Sequence, residues 1–119
     1  MGLPAYSSEL RALSKMLKFA RANVSDKMTV QQLDTLITIS LEPEGIDQAN
    51  LVKRADLSRS GASKNIADLT ALTSRHKPGP GLVESLIDPF NRSTRSIKLT
   101  MKGTAVLLEG LILSYGDKL

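Results

Sequence analysis

The sequence contains no cysteine. That excludes a disulfide scaffold, a thiolate-ligated zinc site and thiol redox chemistry. It has no tryptophan and only two tyrosines and two phenylalanines, so single-stranded nucleic acid would find few ring faces on which to stack its bases. The single histidine, His76, has no partner at the spacing of a catalytic triad or a metal site. It reads as a loop residue beside a proline-glycine run. There is no phosphate-binding glycine loop, no G-x-S-x-G elbow and no H-E-x-x-H helix. Asp47, Asp56, Asp68 and Asp88 are scattered among expected caps and turns, which leaves no carboxylate pair for acid-base work. The expectation is a protein that is not an enzyme and holds neither cofactor nor metal. No apolar run nears the ~18 residues that span a membrane, and no basic-then-apolar leader opens the chain. A soluble, cytoplasmic protein is expected.

What remains is a chain of 119 residues, the length of one domain. Its 41% hydrophobic and 24% charged residues are those of a folded chain and not of a disordered one. The net charge of +4 is unevenly placed. Residues 51–103 hold ten cations against four anions, a net +6, and the flanks hold six cations against eight anions, a net −2. A basic middle hints at a polyanion partner, although a charge run by itself is most often a solvated face.

Periodicity divides the chain into a mainly helical α+β domain, residues 1–119. Residues 8–23 form an expected helix with Ser8 as N-cap and Leu10, Leu13, Leu17, Ala20 and Val24 as its stripe. Met16 and Phe19 lie off that stripe. Residues 29–41 form a second, opened by a Thr29–Gln32 capping box and facing inward with Val30, Leu33, Leu36, Ile37 and Leu41. Asp47 caps a short helix over 48–55, and a longer one follows over 59–73 with Ala62, Ile66 and Leu69 as its core stripe. Pro78-Gly79-Pro80-Gly81 breaks the helical pattern. A two-stranded hairpin over 82–100 follows, then a helix over 101–116 whose apolar residues leave no polar face. Such a helix must be buried, and one small domain has little to bury it against, so a partner is implied.

A short helix, a tight turn and a second helix with a small, polar, basic first half form a helix-turn-helix pattern. The second helix suits the major groove, where its first turns would reach base edges and phosphates. Ser58, Arg59, Ser60, Ser63, Lys64 and Asn65 supply short hydrogen-bonding groups and two cations. The hairpin directly after it, with Asn91, Arg92 and Arg95 at its tip, makes a winged helix whose arginines could enter the minor groove. The bland reading is a solvated hairpin in which Asp88 pairs with Arg92 or Arg95.

The runs Leu57-Ser58-Arg59-Ser60-Gly61-Ala62-Ser63-Lys64-Asn65-Ile66-Ala67-Asp68-Leu69, Gly81-Leu82-Val83-Glu84, Asp88-Pro89-Phe90-Asn91-Arg92 and Ile97-Lys98-Leu99-Thr100-Met101-Lys102-Gly103 occur in this order. Together they resemble the MarR family of bacterial winged-helix regulators, over about residues 28–108. The resemblance implies a homodimer held by residues 1–25 and 101–119, with residues 47–100 reading double-stranded DNA. It implies repression of transcription from a pseudo-palindromic operator. By position, Ser58, Arg59, Ser60, Ser63 and Lys64 match the groove-facing helix, and Asn91, Arg92 and Arg95 match the wing. Two departures stand out. Asp56 occupies a turn position that is usually glycine, which aspartate tolerates because it can adopt a left-handed backbone. The chain also ends soon after the first C-terminal helix, where members commonly continue, which leaves little room for the pocket of a small-molecule effector. The alternative is a winged helix used as a protein-interaction module, its basic surface turned to an acidic partner.

Overall fold

The computed structural model describes residues 2–71, 77–88, 90 and 94–118. The chain divides into two units, residues 29–104 and residues 1–28 with 105–119. Its helices are α1 (Ser7–Asn23), α2 (Val30–Ser40), α3 (Gln48–Arg54), α4 (Arg59–Leu69) and α5 (Met101–Tyr115), and its strands β1 (Val83–Ile87) and β2 (Arg95–Leu99). This is the expected mainly helical winged helix-turn-helix.

In the unit of residues 29–104, local chemistry sets the boundaries. Thr29 Oγ1 accepts from Gln32 N at 3.1 Å and Gln32 Oε1 accepts from Thr29 N at 3.1 Å, the reciprocal box that the sequence predicts. Asp47 caps α3 by accepting from Asn50 N at 2.8 Å, and Ser58 caps α4 by accepting from Gly61 N at 3.0 Å. Between them, Asp56 takes the left-handed backbone with φ of 53°. α4 stops at Leu69, four residues before the expected end. Thr70 is extended, and the Leu69 carbonyl accepts from Leu82 N at 2.8 Å. Residues 72–76, with Leu72, Thr73 and His76, lie outside the described residues.

The wing strands pair antiparallel, Val83 opposite Leu99 and Ile87 opposite Arg95. Ile46 adds a bridge on the far edge of β2. It donates to the Ile97 carbonyl at 2.9 Å and accepts from Ile97 N at 2.8 Å. One residue is too short to leave a strand signature in the sequence. Ile46, Leu82, Val83 and Ile97 are buried with Leu33, Leu36, Ile39, Leu51, Ala62, Ile66 and Leu69 to form the core of this unit. Thr100 then joins the wing to α5: its hydroxyl donates to the Gly81 carbonyl at 2.7 Å and accepts from Gly103 N at 2.9 Å. Gly103 lies so close to β1 that a Cβ there would be driven into the Leu82 carbonyl.

Two helix faces differ from their expected stripes. On α2, Val30, Ile37 and Leu41 are exposed, and Thr35 and Thr38 are buried with Leu33, Leu36 and Ile39. Each threonine hydroxyl donates to the carbonyl four residues back, to Gln31 at 2.7 Å and Asp34 at 2.8 Å. So satisfied, a threonine packs like a small β-branched residue.

In the unit of residues 1–28 and 105–119, a 3-10 turn over Leu3–Tyr6, with Pro4 in its first positions, leads into α1. The helix therefore starts at Ser7, and Ser8 is not its cap. Its buried residues are Ala12, Met16, Phe19 and Ala20, whereas Leu10, Leu13 and Leu17 are exposed. Both sets have helical spacing, so periodicity alone could not choose between them. Gly110 on α5 decides it here: a Cβ there would collide with the Phe19 ring. Ser114 Oγ sits 3.9 Å from Met16 Sδ in the same contact. On the rest of α5, Leu108, Leu111, Ile112 and Leu113 remain exposed.

α2 and α4 are also joined by a buried polar link, in which Asn65 Nδ2 donates to Thr35 Oγ1 at 3.2 Å. Thr35→Val is expected to destabilise the fold by about 1–3 kcal/mol, because it leaves the buried Asn65 amide without its acceptor. Adding Asn65→Leu should restore much of that loss in urea denaturation, since both polar partners are then gone. Gly103→Ala is expected to cost about 1–3 kcal/mol in the same assay, as overpacking against the Leu82 backbone.

Candidate nucleic-acid interface

α4 has two sides. Ala62, Asn65, Ile66 and Leu69 recur at i, i+3, i+4 and i+7 and are buried. Arg59, Ser60, Ser63 and Lys64 lie on the opposite side and are exposed. Five of the six helix-turn-helix positions predicted to face a groove are thus on the accessible surface, counting Ser58 at the cap.

Asn65 is the sixth, and it points the other way. Only 6% of it is exposed, and its amide is bound to Thr35. Its role is to hold the helix to α2. Gln32 Nε2 and Asp68 Oδ2, 3.5 Å apart, add a second tie between the same two helices. Ser58 differs as well, since its Oγ already accepts the Gly61 N–H and lies 3.4 Å from Ser60 Oγ.

The turn between α3 and α4 brings a residue into the site that the sequence did not single out. Gln48, the first residue of α3, reaches across to α4. Its Nε2 lies 2.9 Å from Ser63 Oγ and 3.4 Å from the Arg59 carbonyl oxygen. Its place just after the Asp47 cap was legible, but nothing in a linear sequence shows that eleven and fifteen residues on it meets partners. Lys53 comes to the same surface. A shallow depression of about 700 Å³ there is lined by Gln48, Val52, Lys53, Arg59, Ser60 and Ser63. Its cations come from both helices.

On the wing, Arg95 is exposed and its guanidinium is tied across the strands, Nε donating to Ser85 Oγ at 2.9 Å and Nη2 to the Ser85 carbonyl. Asp88 does not take the role of partner to Arg95. Its Oδ1 accepts from Phe90 N at 2.8 Å and its own N–H donates to the Thr94 carbonyl at 2.9 Å, which closes the base of the tip. Asn91 and Arg92 lie outside the described residues. Behind α3, Arg54 Nη1 is paired with Glu42 Oε1. That pair leaves Lys53, and not Arg54, as the free cation of the last turn of α3 on this surface.

The described residues contain no cluster of acidic or histidine side chains able to hold a metal ion. No described helix is long and apolar enough to cross a membrane.

No protein-family model matches the chain, and among curated proteins none matches it significantly. Solved structures do. MarR from E. coli, in its apo form, superposes with a TM-score of 0.66 at 18% identity, covering 98% of this chain and 78% of that one. The PcaV transcriptional regulator of Streptomyces coelicolor, in complex with its natural ligand, gives 0.60 at 23% identity, over 98% and 77% of the two chains. A MepR–DNA complex from S. aureus gives 0.64 at 18% identity, over 97% and 81%. The MarR-like reading of the sequence therefore holds for the architecture, and the chain has the winged-helix fold of these regulators.

Proposed function

We propose that the chain is a sequence-specific, double-stranded-DNA-binding transcriptional regulator, acting as a homodimeric repressor on a pseudo-palindromic operator. One observation carries this reading: α4 buries one side completely and offers Arg59, Ser60, Ser63 and Lys64 on the other, with Lys53 beside them. Short hydroxyls let a helix sit deep in the major groove, and flanking cations meet phosphates. A wing follows in sequence, with Arg95 exposed on it and Arg92 adjoining by sequence. MepR, which shares the fold, is seen bound to DNA.

A dimer is supported by apolar surface. Leu10, Leu13 and Leu17 on α1, and Leu108, Leu111, Ile112 and Leu113 on α5, are exposed. A second copy covering these residues would take them out of water. In a two-fold dimer the two recognition helices would enter successive major grooves about 34–36 Å apart. The operator would mirror that symmetry, and repression would follow from occupying it. This function requires no catalytic residue.

Selection from random duplex followed by gel shift tests the reading. The expected result is retention of a palindromic site in excess competitor DNA; retention of no duplex would overturn it in favour of a protein-interaction module. Arg59→Ala and Lys64→Ala should each weaken binding to all duplexes and lower the slope of log affinity against log salt by about one. Sedimentation at micromolar concentration should show a dimer, and Leu111→Glu with Ile112→Glu should shift it to monomer. A wild-type monomer would remove the dimer from the proposal.

A further inference from the structure

We infer that Gln48 is a specificity-determining residue, which keeps the hydrogen of the Ser63 hydroxyl free to donate toward the groove. This rests on the DNA-binding reading above.

The argument begins with what a serine can do unaided. A hydroxyl donates one hydrogen bond and accepts two, so serine on a recognition helix pairs with base donors and base acceptors alike. In a helix it also tends to donate back to the carbonyl four residues earlier. For Ser63 that carbonyl belongs to Arg59.

Gln48 closes the second option. A carbonyl oxygen only accepts, so the end of the Gln48 amide facing Arg59 must be the NH2 group. The same nitrogen lies 2.9 Å from Ser63 Oγ and 3.4 Å from the Arg59 oxygen. Its two hydrogens therefore serve one acceptor each, and Ser63 Oγ is an acceptor in this contact. The Arg59 carbonyl, already the natural acceptor of the Ser63 N–H, is further occupied by the amide. Ser63 Oγ makes no other hydrogen bond among the described residues. Its hydrogen is left for the outside, on the exposed side of α4.

The hydroxyl keeps one lone pair as well, and what Gln48 secures is its donor. That donor matches the acceptors of the major groove, guanine O6 and N7, adenine N7 and thymine O4. Gln48 thus keeps Ser63 able to read acceptor-rich base edges without touching a base itself. Its remaining acceptor, Oε1, keeps the amide compatible with a hydrated groove.

Gln48→Glu tests this on the full chain. The replacement keeps the shape but only accepts, so Ser63 turns its hydrogen inward to the new carboxylate and shows a lone pair to the groove. Duplexes selected from a random pool should then change at one base pair per half-site, from an acceptor to an amine, by about tenfold in relative affinity. The other positions should keep their preferences. The added charge lowers affinity for every duplex alike and cancels in the ratio. Ser63→Ala should flatten the preference at that same base pair, and in its background Gln48→Glu should cause no switch.

Four results would overturn the inference. They are an unchanged preference in Gln48→Glu, a uniform loss with lower thermal stability and the old preference, a switch that persists without Ser63, and a wild-type preference kept by Ser63→Ala. If Gln48→Glu does not fold, the exposed Ser63→Ala variant decides by itself. Failure of the wild type to retain any duplex would remove the DNA-binding reading and this inference together. Retention with an unchanged preference would remove only this one.

Discussion

The rotation of α4 about its own axis is the constraint on which the candidate interface depends. Successive residues of a helix are turned by a large fraction of a circle, so a slip of one position would replace the exposed Arg59, Ser60, Ser63 and Lys64 with a different set. Apolar contacts at Ala62, Ile66 and Leu69 hold the helix against the core, but such contacts are non-directional. The hydrogen bond from Asn65 to Thr35 is directional and buried. Its net contribution is about 1 kcal/mol, yet a rotation that broke it would strand a buried amide at a cost of about 1–3 kcal/mol. A modest bond therefore sets a sharp orientation. Gln48 extends the same logic outward, since it can grip Ser63 and the Arg59 carbonyl only when α4 is in this rotation.

The wing is fixed by a comparable division of labour. Ile97 pairs on both edges, with Ser85 of β1 in the ladder and with Ile46 through the isolated bridge. That ties the segment before α3 to the wing. At the other end, Thr100 and Gly103 bring the start of α5 against Leu82, which in turn closes the end of α4 through the Leu69 carbonyl. Function on a winged helix comes from side chains on small elements that could not stand alone. Here each is held by backbone pairing and by a few capping hydroxyls.

Much of this was legible in the sequence because it is local. The Thr29–Gln32 box, the cap at Asp47, the left-handed Asp56 and the order of helix, helix, wing and helix all depend on residues within a few positions of each other. Asn65 is more instructive. It lies on the 62, 65, 66, 69 stripe, so its burial was implied by periodicity, but its polar type suggested the groove. The partner that makes its burial tolerable, Thr35, is thirty residues away. The same gap explains α1, where the Leu10 and Met16 faces were equally apolar on paper. Close packing of Gly110 on Phe19 chose between them.

The sequence by itself determined the elements, their boundaries to within a few residues, the basic middle of the chain and the candidate surface. Spacing, capping groups and charge are properties of neighbours along the chain, and they act before any tertiary contact forms. Only the tertiary structure decided which face of α1 and α2 is buried, that Asn65 turns inward, that α4 ends at Leu69, and that Gln48 meets Ser63. Each of these turns on a single pairing between distant residues. Periodicity can allow such a contact, but only the packed chain selects it.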